Sequence, residues 1–188
     1  MPFHDQKIKN SSKIPNPTLN HSKPLQKNLQ TSQTPIPHFG SINIRGDSHS
    51  RHISGLVKSM TFPPASVGDM CMPGAGLLDI LRTGHTPPRS GTHCEVLIAG
   101  SNDLAVGRQH VIYRHLEAHI TARPANTELV LVTLPLRHDL QPDHPIHDET
   151  VLVNAYIEEL AVRHNIRVVN FNNIGRRHFT RHGQHLSA

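Results

Sequence analysis

From residue 41 onward, short apolar runs take turns with stretches whose apolar positions recur every three to four residues. Residues 41–45 (Ser-Ile-Asn-Ile-Arg) alternate with a period of two and predict a first strand. Residues 50–60 then place Ile53, Leu56, Val57 and Met60 on one face of a helix. A second strand is expected over 66–72, closed by the turn at Pro73-Gly74, and a short helix over 75–82 with Leu77, Leu78, Ile80 and Leu81 as its apolar face. The Gly- and Pro-rich stretch 83–92 reads as loop. A third strand is expected over 95–99 and a helix over 106–121. Residues 128–134 (Glu-Leu-Val-Leu-Val-Thr-Leu) are almost continuously apolar, as in a strand covered on both faces. A helix over 150–164 and a last strand over 167–171 complete the pattern. Five strands separated by helices predict right-handed crossovers and a parallel α/β sheet in three layers. No internal repeat is present.

Residues 1–40 break this pattern. They contain six prolines, many Asn, Gln and Ser, and almost no apolar periodicity, too little to offset the entropy of ordering them. The leader is therefore expected to be disordered, followed by one domain over 41–188. The charge divides in the same way. Of the net +5, the leader holds +4, from five lysines against Asp5, while the other 148 residues carry 14 basic and 13 acidic groups. The basic character thus belongs to the leader, which reads as a solvated linker or as a weak nucleic-acid contact.

Composition narrows the class. Aromatics make up only 4% and Trp is absent, so the core rests on Val, Leu, Ile and Ala. Cys71 and Cys94 fall in expected strands and read as buried thiols rather than a disulfide scaffold. No segment is long and apolar enough to span a bilayer, and residues 1–10 lack the apolar stretch of a signal peptide, so an intracellular protein is expected.

The candidate chemistry lies just after the strands. Gly46-Asp47-Ser48-His49 follows the first, Pro73-Gly74-Ala75-Gly76 the second and Ala99-Gly100-Ser101-Asn102-Asp103 the third, while His182-Gly183-Gln184-His185 follows the fifth. Loops at carboxyl ends of parallel strands are where such a sheet binds ligands. Each block alone has an ordinary reading: Ser48 and Asn102 as helix caps, Gly74 as a turn. In this order and spacing the blocks resemble those of the SGNH (GDSL-type) hydrolases, over roughly residues 40–188. The wording Gly-Asp-Ser-His and His-Gly-x-His is similar to arthropod and retrotransposon-associated members.

The resemblance implies a flavodoxin-like sheet in the order 2-1-3-4-5 and a serine esterase working through an acyl-serine. Ser48 would be the nucleophile and His185 the base. The Ser48 and Gly74 amides and the Asn102 side chain would form the oxyanion hole. The substrate class is a small-molecule, carbohydrate or lipid ester, and no cofactor is implied. The family carries an aspartate three residues before the histidine, and here that orienting position is His182, which cannot supply a carboxylate's charge; Asp143 or Asp148 would be the substitutes. Loss of the triad acid in serine proteases costs about 10⁴ in kcat. The family also continues into a closing helix where this chain stops, three residues past His185, so a shortened carboxyl end and weak activity are expected. The alternative is a catalytically inactive binding or scaffold domain of mobile-element origin, its basic leader contacting nucleic acid.

Two further clusters of polar residues stand out. His110, His115 and His119, with the loop bearing His138, Asp139, Asp143, His144, His147 and Asp148, lack a zinc signature, and no metal is assigned. Arg176, Arg177, His178 and Arg181 form a basic cluster that reads as a solvated loop or an anion-receiving patch.

Overall fold

The computed structural model describes residues 39–61, 65–84 and 91–187. The expected leader lies almost wholly outside them. A parallel sheet of five strands, β1 (Ser41–Gly46), β2 (Ser66–Cys71), β3 (His93–Ile98), β4 (Thr127–Val132) and β5 (Arg167–Val169), runs in the order β2-β1-β3-β4-β5. Between the strands lie the helices α1 (Ile53–Met60), α2 (Leu77–Arg82), α3 (Ser101–Ala105), α4 (Gln109–Ala122) and α5 (Ile146–His164).

Strand order fixes which face each helix covers. The step from β1 to β2 runs one way across the sheet and every later step runs the other. With crossovers of one hand, α1 must land on the face opposite α2, α4 and α5. The packing agrees. Leu77, Ile80, Ile112, Leu116, Ile120, Val153, Ile157 and Leu160 from these three helices join Leu97, Leu129 and Leu131 of β3 and β4 in the main core. The other face holds a smaller cluster of Ile44, Val67, Ile98 and Val132, with Ile53 and Val57 of α1 half-buried against it.

The elements follow the sequence pattern, except that α5 starts four residues before its expected 150, β5 ends at Val169 instead of 171, and two helices differ further. The helix expected over 106–121 starts at Gln109, and a short helix that the pattern did not predict, α3, precedes it: the chain turns at Gly107, whose φ is 67°, and Arg108 N donates to Asp103 O at 2.8 Å. The helix expected from residue 50 starts at Ile53, after a 3₁₀ turn at Ser48–Ser50 and His52 at φ 67°. Its apolar face is also covered less than its periodicity predicts, since Leu56 and Met60 remain 64% and 82% exposed. Amphipathicity reports a face that can be buried, and tertiary contacts decide how much of it is. Cys71 and Cys94 are both free thiols; Cys94 is buried, and desolvation with Glu128 nearby pushes its pKa up to about 11.

Candidate active site

Successive crossovers from β1 and β3 diverge in opposite directions, leaving a crevice outside their carboxyl ends, where open α/β sheets bind ligands. Ser48 stands one residue past Asp47 at the end of β1. Its position depends on a close approach of backbones. Asp47 N donates to Ile98 O at 3.0 Å, and a Cβ at Gly46 would lie 2.5 Å from that same oxygen. Only glycine lets β1 leave the sheet here.

Hydrogen bonds join the loops around this crevice. Met72 N donates to Gly46 O at 2.8 Å and Cys71 Sγ to Asp47 O at 3.3 Å, tying the Gly74 turn to the Ser48 loop. Gly74 itself is exposed, with a φ of 80°. Asn102, in α3, donates Nδ2 to Ala75 O at 2.9 Å, and its neighbour Asp103 accepts Leu77 N at 2.6 Å. One hydrogen of the Asn102 amide remains for another acceptor. The turn carrying Gly74 and the helix carrying Asn102 are therefore one hydrogen-bonded unit. Asp103 is 1% exposed, and burial raises its pKa against the pull of the Leu77 amide and Arg108.

The last loop closes the site. Ser48 Oγ and His185 Nδ1 stand 3.1 Å apart, although 137 residues separate them in sequence. With Ser48 as donor, Nδ1 must be bare and Nε2 protonated. Desolvation, then the charges of His49 and Arg51, lower the His185 pKa, so the neutral ring is favoured. Gly183 makes this loop possible: its φ is 78°, His138 N donates to its carbonyl at 3.1 Å, and a Cβ there would lie 2.7 Å from the His138 backbone. Arg176 spans the loop from within, donating to Thr180 O at 2.8 Å and Arg181 O at 2.5 Å.

His182, the position matching the family's acid, is exposed and makes no side-chain hydrogen bond or ion pair among the described residues. Neither Asp143 nor Asp148 replaces it. Two carboxylates interact electrostatically with His185, Asp47 and Asp139; the pKa of Asp139 is lowered chiefly by Arg137, whose guanidinium grips it at 2.7 and 2.6 Å. His185 Nε2 has no carboxylate partner among the described residues.

Sequence reasoning missed Asp47 and His49. Both are buried, and His49 Nδ1 lies 3.0 Å from Asp47 Oδ1 while its Nε2 lies 3.0 Å from Gln184 O. The available signal was the spacing of Asp47 and His49, two residues apart across Ser48; nothing in the sequence pointed to Gln184.

The other expected clusters disperse. In the histidine-rich loop, His138 packs edge-on against Phe179 at 4.6 Å, His144 Nδ1 accepts Ile146 N at 3.2 Å and His147 Nε2 donates to Gln141 O at 3.0 Å. Among the described residues no group of three or more His, Cys, Asp or Glu is arranged to hold a metal ion. Among them too, no helix is long and apolar enough to cross a membrane. A polar cavity of about 220 Å³, lined by Arg45, His93, Glu95 and His119, opens at the amino ends of β3 and β4 and shares no residue with the Ser48 crevice.

The fold is that of solved lipolytic enzymes of the GDSL type. A member of the lipolytic G-D-S-L family from Veillonella parvula superposes with a TM-score of 0.62 at 18% identity, over 78% of this chain and 89% of that one. A lipase/acylhydrolase from Enterococcus faecalis matches with a TM-score of 0.58 at 19% identity, over 78% and 87%. An acetyl xylan esterase from Geobacillus stearothermophilus gives 0.59 at 12% identity, over 79% and 87%. No family model and no curated protein matches the sequence.

Proposed function

We propose that residues 41–188 form a serine hydrolase of ester bonds of the SGNH (GDSL) type. The single observation that carries this reading is the Ser48 Oγ–His185 Nδ1 pair at 3.1 Å, built from loops at opposite ends of the domain. A nucleophile and a base within hydrogen-bond reach are what acyl transfer requires. His185 takes the hydroxyl proton as Ser48 Oγ bonds to the ester carbonyl carbon. The carbonyl oxygen becomes an oxyanion, facing the Ser48 and Gly74 amides and the second hydrogen of the Asn102 amide. Collapse of this intermediate breaks the bond to the alcohol, which leaves with the proton from His185. Water, deprotonated by His185, then releases the acid. Bonding of Asn102 to Ala75 O supports the assignment, because it holds that amide and the Gly74 turn in one unit.

Slow turnover follows from the same geometry. Among the described residues no carboxylate bonds to His185 to orient it, and nearby cations oppose the imidazolium that must form. Oxyanion stabilisation without a full triad still leaves about 10³–10⁴-fold over water, so activity on activated esters is expected. Initial rates on p-nitrophenyl acetate test the reading. Ser48→Ala and His185→Ala should each lower kcat/KM by roughly 10³-fold or to background, and His182→Asp should raise it. Equal rates in all four proteins would instead support a binding or scaffold domain.

A further inference from the structure

His49 occupies an unusual position for a residue beside a candidate nucleophile. It is 4% exposed and touches two groups that only accept hydrogen bonds: the Asp47 carboxylate at 3.0 Å from Nδ1 and the Gln184 carbonyl at 3.0 Å from Nε2. Both bonds form together only when both ring nitrogens carry hydrogen, which makes the ring an imidazolium whose charge is balanced by Asp47. Asp47 is 1% exposed, and its Oδ1 also accepts the His49 amide at 2.9 Å. The far end of the bond lands on the residue immediately before His185.

We propose that His49 is a positioning residue, a charged double donor that straps the His185 loop to the Ser48 loop. The proposal rests on the hydrolase reading above. The other bonds of the carboxyl loop run to itself or to the 138 region: Thr180 N to His185 O at 2.7 Å, Ser187 N to His178 O at 2.9 Å and His138 N to Gly183 O. Apart from the Ser48–His185 pair itself, only His49 links that loop to the nucleophile among the described hydrogen bonds. The strap thus takes over part of the task left undone at His182. It holds the imidazole by its backbone instead of by its ring.

The charge has a second effect, in the opposite direction. The ring centroids of His49 and His185 lie 5.9 Å apart. The charged and titratable groups around the pair are Asp47 and Arg51 on the same loop, the Cys71 thiol at the end of β2, and Arg137 and Asp139 beside His185. A cation at His49 favours neutral His185 before reaction and opposes its imidazolium during it. One residue therefore sets both the position of the base and its proton affinity.

The test uses the full chain with two variants, His49→Leu, which removes strap and charge, and His49→Gln, which removes the charge and keeps an N–H donor. Loss of positioning should lower kcat of His49→Leu by about 10²-fold with little change in KM, as misplacement by about 1 Å does elsewhere. His49→Gln should retain more of kcat. In both variants the acid limb of kcat/KM should move to higher pH; hydration of a loosened His185 acts in the same direction, so the shift in His49→Gln, which keeps a donor for the Gln184 carbonyl, is the one that reports the charge. Nitrogen-15 NMR of the wild type should show hydrogen on both His49 nitrogens. A bare Nε2, or an acid limb unmoved in both variants, would overturn the proposal, and His49→Gln keeps the test available if His49→Leu fails to fold. The NMR result does not depend on turnover. Failure of Ser48→Ala to lower the rate would remove the hydrolase reading while leaving the doubly protonated ring to be found or not.

Discussion

Two buried clusters in this domain pair an acid with a histidine, and they are built for different ends. In the first, Arg45 of β1 meets Glu95 of β3 at 2.6 Å, and His119 of α4 stands 3.4 Å from the same carboxylate oxygen. Arg45 also donates to Ile80 O of α2. This cluster locks two strands to two helices. Burial alone would raise the Glu95 pKa, but bonding and charge from His119, then Arg45, more than offset it and leave the carboxyl ionised below its usual range. In the second cluster, Asp47 and His49 connect loops, not elements, and beside them the half-exposed Ser48 meets His185, which has no carboxylate partner among the described residues. Within the first cluster each charge has an opposite charge beside it. Around His185 the cations outnumber what Asp47 supplies. A buried ion pair between strands suits a scaffold, and a histidine at a loop crossing with a hydroxyl in reach suits chemistry.

The sharpest way to break this contrast is to remove Arg45. Arg45→Ala strands a buried Glu95 and should cost about 3–5 kcal/mol in urea unfolding, while the rate per folded molecule stays near wild type. Replacing both partners, Arg45→Met with Glu95→Met, should recover much of that loss, because no charge is then left unpaired. If Arg45→Ala costs under about 1 kcal/mol, the cluster does not have the structural role given to it here.

A pH series sharpens the comparison with a smaller effect. His185 must be neutral to accept the Ser48 proton, and its pKa is lowered. Activity should therefore fall only as pH drops through a value below the ordinary histidine pKa of about 6.5. Glu95 is a carboxylate with a depressed folded pKa. Its stabilisation is present above the unfolded value of about 4.3 and is lost as pH falls through the folded one. Between the two ranges the protein should be folded and inactive, with circular dichroism and rate separating the transitions. Coincident loss of fold and rate would show the clusters to be one cooperative unit.

The smallest effect concerns α1. Met60→Gln replaces an apolar side chain that is 82% exposed and should change stability by no more than about 0.5 kcal/mol. A loss above 1 kcal/mol would mean that the α1 face is covered in solution.

The alternation of 41–45 and the apolar run 128–134 were enough to read strands, because period and continuity report which faces are buried whatever the neighbours do. The helix at 146–164 was legible to within four residues for the same reason, whereas α3 was not, since five residues make little more than one turn and leave no period to read. Ser48, Gly74, Asn102 and His185 were legible as residues after strands, and their order matched a known pattern. The contacts of Ser48 with His185 and of Asn102 with Ala75 were not, because they join segments 137 and 27 residues apart. Least legible was the link from Asp47 through His49 to Gln184. The sequence by itself determined the elements and the chemical types at the ends of the strands. Only the tertiary structure decided that a backbone carbonyl would meet His49, since a carbonyl is present at every position and no side chain marks the one that is used.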